Sequence, residues 1–285
     1  MIRDRKHPHI SIILPARGNA DCITIALESI LCQTKTDFEL IVVGDGTAGA
    51  SADVPAGQND PRIVVIQKKE SSNNAAAFNG GIAAAGGELV GFIRPGDAWD
   101  ERKLEEQVSC FSLLSPEYGV VYSDTWEISP AGNRAYWHSP EMDDGDLLNE
   151  YATDFQAAGL DISPVLVRRS VLERAGPFDE SLGCFSDMDM IIRLSRICRF
   201  HHIGKPLCHR RSRMNSPDRI IGKSIARLLL LQKYPEVLHN QLFVAHQADQ
   251  IRRALWMARE GIPSSPARNT PEPEPGYYRK AVLDL

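Results

Sequence analysis

Short apolar segments of strand length alternate with segments of helical periodicity along most of the chain. Residues 9–16, 38–43 and 88–93 form apolar runs that are too short for buried helices. Between them, residues 23–33 and 74–85 place apolar or small side chains at helical spacing. Such alternation predicts an α/β domain with parallel strands joined by crossover helices. We therefore expect a doubly wound, mostly parallel mixed sheet that is flanked by helices.

The last part of the chain differs from this pattern. Two longer helical patterns follow at about 218–233 and 236–260, and a segment with five prolines begins at Gly261. We predict an α/β domain over 1–215, C-terminal helices over 216–262 and a proline-rich strap or linker with a tail over 263–285. Whether the chain is a piece of a longer protein, and whether it forms a homo-oligomer, stays open.

Charge and hydropathy restrict the partners and the location of the protein. The net charge of −5 argues against non-specific binding of nucleic acid. Residues 193–227, however, hold ten lysines and arginines and one acid. This basic segment is either a solvated face or a surface that attracts a phosphorylated ligand or an anionic membrane. The N-terminus lacks the apolar core of a signal peptide, so we expect a cytoplasmic protein, with peripheral contact with the inner face of the membrane as an addition.

Polar residues follow the predicted strands at the points where the strands end. They stand at 15–19, 44–47, 94–97 and 123–124. Open α/β sheets bind ligands at the carboxyl ends of their strands, so these residues are predicted to meet at one site. Neither the glycine fingerprint of a dinucleotide-binding fold nor a phosphate-binding P-loop is present. A Rossmann dehydrogenase and a P-loop enzyme are therefore not expected.

Several segments together resemble family 2 glycosyltransferases. The stretch ISIILPARGNADCITIALESILCQTKTDFELIVVGDGT is similar to the opening of that family, and NNAAAFNGGIAAAGGELVGFI, DAWDERKLEEQV and SPVLVRRSVLERAGPFDESL resemble later segments in the expected order. The resemblance covers roughly residues 8–211. It implies the GT-A fold and inverting transfer of a sugar from a nucleotide-diphosphate donor. The implied acceptor is a glycan or a lipid-linked glycan, as in the assembly of bacterial surface polysaccharides.

The resemblance also implies a catalytic base. The family places a Glu-Asp pair before a helix that reads roughly Leu-x-x-Arg-Leu, and this pair corresponds here to Ser186 and Asp187. Asp187 is thereby implied as the carboxylate that takes the proton of the acceptor hydroxyl. Alternatively, Ser186 and Asp189 form a helix-capping pattern, which would leave Asp187 without a structural task.

The donor side departs from the family. Its Asp-x-Asp-Asp signature becomes Arg94, Gly96 and Asp97, so Asp97 alone is left as a weak ligand for Mn²⁺ or Mg²⁺. A divalent cation is then the weaker of two ways to neutralise the diphosphate. The other is Arg94, or one of the cluster Arg210, Arg211 and Arg213, because a guanidinium matches phosphate oxygens. Alternatively, Arg94 pairs with a neighbouring acid, such as Asp97 or Asp124.

The remaining donor-binding candidates come from other strand ends and from the second helix. The resemblance implies nucleotide-sugar contacts for Pro15, Arg17, Asp45 and Asn79, in addition to Arg94 and Asp97. Asp45 has an alternative role as a turn residue. Phe78 stands where the family often has a donor-binding arginine.

Two functions fit these residues. The first is an active glycosyltransferase with unusual donor handling, which the retained Asp187 favours. The second is a non-catalytic GT-A domain that serves as a binding or scaffold module. The changes at positions 78, 94 and 96 favour this second function.

Overall fold

The chain divides into two compact units, Met1–Ser212 and Arg213–Leu285. In the second unit the described residues are few, and those at 229–230 and 232–233 are helical. The three-part division predicted from the sequence stays a prediction, and the strap at 263–285 lies outside the described residues. Within the described part, no helix has both the length and the hydropathy needed to cross a membrane. The computed structural model describes residues 8–17, 19–44, 60–67, 73–129, 132–139, 141–142 and 160–211, and scattered positions between 229 and 259.

The first half of the sheet is parallel. Its strands lie in the order β3-β2-β1-β4. β1 is buried along its whole length, as its continuous apolar run predicts. The elements of this half are β1 (Ile10–Ala16), α1 (Ala20–Leu31), β2 (Phe38–Gly44), β3 (Ile63–Gln67), α2 (Asn74–Ala84) and β4 (Leu89–Phe92).

The second half of the sheet is mixed and continues from β4 in the order β8-β6-β9-β5, with β7 on β6. β8 runs antiparallel to β4 and β6, whereas β6 and β9 are parallel. The elements are β5 (Ala98–Trp99), α3 (Lys103–Leu113), β6 (Tyr118–Ile128), β7 (Arg134–Trp137), β8 (Leu166–Arg168), α4 (Arg169–Ala175), a 3₁₀ helix (Glu180–Phe185), α5 (Ser186–Ser195) and β9 (Arg199–Arg211). The predicted mixed α/β sheet with flanking helices is thus confirmed.

Close backbone approach requires a glycine at position 87, between α2 and β4. A Cβ atom on Gly87 would lie 2.6 Å from the backbone nitrogen of Ser11. The Gly87 amide donates a 2.8 Å hydrogen bond to the Ser11 hydroxyl, and the Ser11 hydroxyl donates to Glu39 at 2.6 Å. Glycine is therefore required where the chain enters β4 beside β1.

Three phenylalanines pack between α2, β4 and the segment before the 3₁₀ helix. The ring of Phe78 lies 5.1 Å from that of Phe92 and 5.2 Å from that of Phe178, and the last two are 5.4 Å apart. Phe78 is fully buried. Its side chain therefore belongs to the core beneath β4, which explains an aromatic residue at this position.

Replacing Phe78 with alanine should lower the free energy of unfolding by about 3–5 kcal/mol, because a buried aromatic side chain is lost and a cavity remains. Urea denaturation of the two proteins measures the difference. Leu113→Ala is the matched control, since Leu113 is 87% exposed and its truncation should cost less than about 0.5 kcal/mol. Equal effects of the two substitutions would contradict the assignment of Phe78 to the core.

Candidate active site

The carboxyl ends of β1, β2 and β4 bring together part of the predicted donor site. Pro15 is buried in β1 and lies opposite Val43 of β2, and Arg17 follows β1 as an exposed residue. Asp45 lies outside the described residues. The structure thus places Pro15 and Arg17 at the expected edge of the sheet, and their contacts with a nucleotide stay predictions.

A tight turn follows β4 and directs the side chains of the degenerate signature. The Asp97 amide donates to the Arg94 carbonyl at 3.1 Å, and the Gly96 amide donates to the Cys22 carbonyl at 2.8 Å. Gly96 has a φ of +91°, in the left-handed region that glycine adopts without strain. An aspartate at position 96 would be strained in this turn.

Arg94 joins two buried carboxylates across the candidate site. Its Nη1 atom lies 2.6 Å from Asp161 Oδ2, and its Nη2 atom contacts Asp187 Oδ2. The side chain of Arg94 is 19% exposed, that of Asp161 is 9% exposed and that of Asp187 is 7% exposed. Arg94 is therefore paired, but its described partners are not Asp97 or Asp124, the two neighbours proposed from the sequence.

Asp161 is a site residue that the sequence analysis did not identify. It ends an acid-rich segment, 141–161, which stands opposite in sign to the basic segment 193–227. Asp161 Oδ2 also lies 3.8 Å from Nη1 of Arg210 on β9. The opposite charges of the two segments were the sequence signal that could have indicated a contact between them. They do not show which acid contacts Arg94, because that depends on the path of the chain just before β8.

Arg210 extends this charged cluster to the second half of the sheet. Its Nη2 atom lies 3.3 Å from Glu127 on β6, and its guanidinium lies 5.8 Å from the centroid of the Trp137 ring on β7. The described part of the site therefore contains the guanidinium groups of Arg94 and Arg210 and the carboxylates of Asp97, Asp161, Asp187 and Glu127.

The carboxylate of Asp97 links the turn after β4 to two other parts of the domain. The Ser163 hydroxyl donates to Asp97 Oδ2 at 2.7 Å, and the Arg211 backbone amide donates to Oδ1 at 3.2 Å. Asp97 is buried, and burial together with the nearby charge of Asp161 raises its pKa to about 6. Its role as a weak metal ligand stays a prediction, because ligation needs an ionised carboxylate with a free lone pair.

Asp187 lies in the first turn of α5 and is buried. The neighbouring Ser186 hydroxyl donates to the Gly183 carbonyl at 3.0 Å, and the start of α5 has no side-chain cap. Asp189 instead accepts a 2.9 Å hydrogen bond from Nε of Arg193 one turn later. The alternative capping pattern is therefore wrong, while Asp189 has a structural contact and Asp187 faces Arg94.

Asn79 fixes the segment that leads to α5. Its side-chain amide donates to the Phe178 carbonyl at 3.0 Å and to Glu180 Oε1 at 2.9 Å, and its Oδ1 accepts from the Phe178 amide at 2.7 Å. This use of both ends of the amide group gives Asn79 a structural task in the described part of the chain. Its predicted contact with the nucleotide sugar stays a prediction.

The raised pKa of Asp97 predicts a pH-dependent loss of stability. The folded protein keeps this proton up to pH about 6, whereas an unfolded chain releases it near its ordinary value of 3.8. The free energy of unfolding should therefore fall as the pH rises between these values, by an amount on the order of 3 kcal/mol. Asp97→Asn removes the titration and keeps the shape of the side chain.

Urea unfolding of the wild type and of Asp97→Asn, measured between pH 4 and pH 7.5, checks this expectation. As the pH rises to about 6, the free energy of unfolding of the wild type should fall relative to that of the variant. Above pH 6 the difference between the two proteins should stay constant. A difference that stays constant, or that favours the wild type increasingly with pH, would contradict a raised pKa for Asp97.

Known proteins resemble this chain both in sequence and in architecture. The chain is 29% identical over 214 residues to the O-antigen biosynthesis protein RfbC of Myxococcus xanthus, a match that covers 72% of this chain and 16% of RfbC. The chain spans less than two thirds of the length of the curated relatives it matches first.

Solved structures show the same fold at low sequence identity. A mannosyltransferase from Pyrobaculum calidifontis in complex with GDP-Man and Mn²⁺ superposes with a TM-score of 0.60 at 19% identity, over 92% of this chain and 77% of that chain. Residues 1–349 of S. aureus TarS in complex with UDP-GlcNAc superpose with a TM-score of 0.58 at 18% identity, over 86% and 71% of the two chains. These matches confirm the predicted GT-A fold.

A family model described as "glycosyl transferase family 2" matches residues 11–176, which is more than half of the chain. That range includes the three parallel strand ends, the turn with Arg94 and Asp97, and Asp161. The resemblance noted from the motifs is thereby confirmed, and the chain belongs to glycosyl transferase family 2.

Proposed function

We propose that this chain is the catalytic part of a transferase that moves a sugar from a nucleotide-diphosphate sugar to an acceptor hydroxyl, with inversion. The observation that carries the proposal is the pairing of Asp187 with Arg94 beside the carboxyl end of β4. An acid that accepts a proton and a cation that attracts a diphosphate then stand in one place. The family assignment and the sugar nucleotides bound to its structural neighbours support the choice of donor.

Asp187 serves as the general base in this proposal. The acceptor oxygen bonds to the anomeric carbon while its proton passes to Asp187. The bond from that carbon to the diphosphate breaks, and its electron pair leaves with the nucleoside diphosphate. Arg94 favours the ionised form of a neighbouring carboxylate, which is the form that can accept a proton.

Arg94 supplies the positive charge at the diphosphate. A guanidinium has five N–H donors, so Arg94 can keep Asp161 and turn its second edge from Asp187 to a phosphate oxygen. Donor binding then releases Asp187 to the acceptor. In this order of events the base becomes available only when the donor sugar is bound, so a site without donor is inactive.

The product is assigned to the assembly of a surface polysaccharide or a similar glycan. This assignment rests on the name of RfbC and on the family, and we place the reaction in the cytoplasm with a glycan or lipid-linked acceptor. Membrane contact through residues 193–227 stays a proposal. In the described part of this segment, Arg193, Lys205 and Arg210 pair with acids of the same domain.

Asp187→Asn should reduce the turnover number by about 10²–10⁴-fold, since the amide keeps the shape of the side chain but cannot accept the proton. The rate is measured as transfer of radiolabelled sugar from the donor whose nucleotide binds in the calorimetry described below. Asp189→Asn is the matched control: it loses the ion pair with Arg193, so it should lower stability and leave turnover per folded molecule nearly unchanged. Wild-type turnover in Asp187→Asn would refute the assignment of the base.

Arg94→Ala should weaken the binding of a nucleotide diphosphate by about 1.5–3 kcal/mol, the range for a hydrogen bond to a charged group. Calorimetry with a panel of nucleoside diphosphates, with Mn²⁺ and with EDTA, checks the value. The affinity of the wild type should not change with EDTA. Arg62→Ala, which breaks a 2.8 Å ion pair with Asp60 before β3, is the control and should bind normally.

Two outcomes separate this proposal from the second candidate function. A strict requirement for Mn²⁺ would contradict the role of Arg94 and return Asp97 to the role of metal ligand. The absence of any nucleotide binding would instead favour a non-catalytic binding or scaffold module. The observation that favours the module is that two carboxylates already occupy Arg94 while Ser163 and Arg211 occupy Asp97.

A further inference from the structure

A second cluster of chemically active side chains lies on the neighbouring strands of the sheet. Asp124 on β6, His138 directly after β7 and His202 on β9 each offer one ligand atom, and these atoms all lie within 4.8 Å of one another. β6 is the middle strand of the three, and its register with β9 shifts on both sides of Asp124. The extra residues of this irregularity lie in β9, between Ile203 and Pro206 and between Pro206 and Cys208, directly opposite Asp124.

Both imidazoles contact the same carboxylate. His202 Nε2 lies 2.7 Å from Asp124 Oδ1, and His138 Nδ1 lies 3.1 Å from Asp124 Oδ2. The carboxylate is fully buried and His202 is 9% exposed, whereas His138 is 62% exposed. The cluster therefore extends from a buried carboxylate to the exposed side chain of His138.

The histidines are not needed to satisfy the buried carboxylate. The Tyr136 hydroxyl donates to Asp124 Oδ2 at 2.5 Å, and the Ser139 amide donates to Oδ1 at 2.8 Å. These two donors already supply one hydrogen bond to each oxygen and fix the plane of the carboxylate. Metal sites have the same arrangement, in which outer hydrogen bonds orient an acidic ligand.

Ring packing orients the imidazoles as well. The His202 ring stacks on the buried Tyr122 at 4.9 Å with an interplanar angle of 21°. The His138 ring lies nearly parallel to that of Tyr136 at 6.4 Å. The two imidazole centroids are 5.4 Å apart. The three ligands therefore come from strands and their flanks. Packing fixes the orientation of the His202 ring, whereas the exposed His138 side chain can still rotate.

We propose that Asp124, His138 and His202 bind a divalent transition-metal ion, with Zn²⁺ as the preferred ion. Two imidazoles and one carboxylate suit Zn²⁺, whereas Mg²⁺ and Mn²⁺ favour oxygen ligands. Ligands of a tetrahedral zinc ion with bonds of about 2.1 Å stand about 3.4 Å apart. The two Asp–His distances of 2.7 and 3.1 Å are shorter than that separation, so binding of the ion requires both imidazoles to shift slightly away from the carboxylate. For the exposed His138, rotation of the side chain supplies this shift.

This site is separate from the donor site in its residues and in its chemistry. None of its three ligands belongs to the cluster of Arg94, Asp97 and Asp187. The bound ion joins β6, the end of β7 and β9, and β9 ends in Arg210 and Arg211, which contact Glu127 and Asp97. Its expected effect is to hold these strands together beside the candidate active site.

The test uses the full chain without an affinity tag. A chelator first removes any bound metal, and the chelator is then removed. Calorimetry with Zn²⁺ alone should show one ion bound per chain. His138→Ala should reduce the affinity at least tenfold, and it leaves the fold intact because His138 is exposed. His201→Ala is the control, since His201 neighbours the cluster on β9 but packs against Tyr118 instead, and its affinity should equal that of the wild type.

Two further readouts use the same proteins. Co²⁺ bound to the wild type should give the visible absorption of a tetrahedral ion, and this signal should be lost in His138→Ala. Zn²⁺ should raise the melting temperature of the wild type and of His201→Ala, but not that of His138→Ala. No binding to the wild type, or equal affinity in the wild type and His138→Ala, would overturn the proposed site.

Discussion

The charge balance at Arg94 is the constraint on which the candidate site depends. The guanidinium lies between Asp161, from the segment before β8, and Asp187, from the first turn of α5. Largely buried charges are tolerated when they are paired, and removal of one partner leaves the others uncompensated. Arg94 therefore holds together three segments that are remote in the sequence, and it does so at the end of the strand where the family carries its acidic signature.

The other departures from the family agree with a site that is organised around one arginine. Gly96 adopts a positive φ that disfavours an aspartate, and Asp97 accepts hydrogen bonds from Ser163 and from the Arg211 amide. Phe78 fills the core between α2 and β4 in place of a donor-binding arginine. Each substitution is thus matched by a packing or hydrogen-bonding partner in the same domain. Such consistency between a side chain and its surroundings is expected wherever local sequence and tertiary structure agree.

β9 connects this site to the remainder of the domain. Its first part carries His202, which contacts Asp124, and its last part carries Arg210, which contacts Glu127 and Asp161. The strand runs parallel to β6 over nearly its whole length, with register shifts where Asp124 turns towards the histidines. One strand therefore positions side chains in both of the clusters for which a role is proposed.

Periodicity and short motifs in the sequence determined the parallel half of the sheet, its crossover helices and the order of the family segments. Local patterns are sufficient there, because a buried parallel strand is apolar along its whole length and a crossover helix has a period of its own. β5, β7, β8 and α4 were not predicted, since two to seven residues carry too little pattern, and antiparallel pairing depends on strands elsewhere in the chain. Motifs also identified Asp187 and Arg94 as site candidates. Only the tertiary structure decided that they contact each other, that Asp161 joins them and that Asp97 is buried, because these contacts join residues up to 114 positions apart in the sequence.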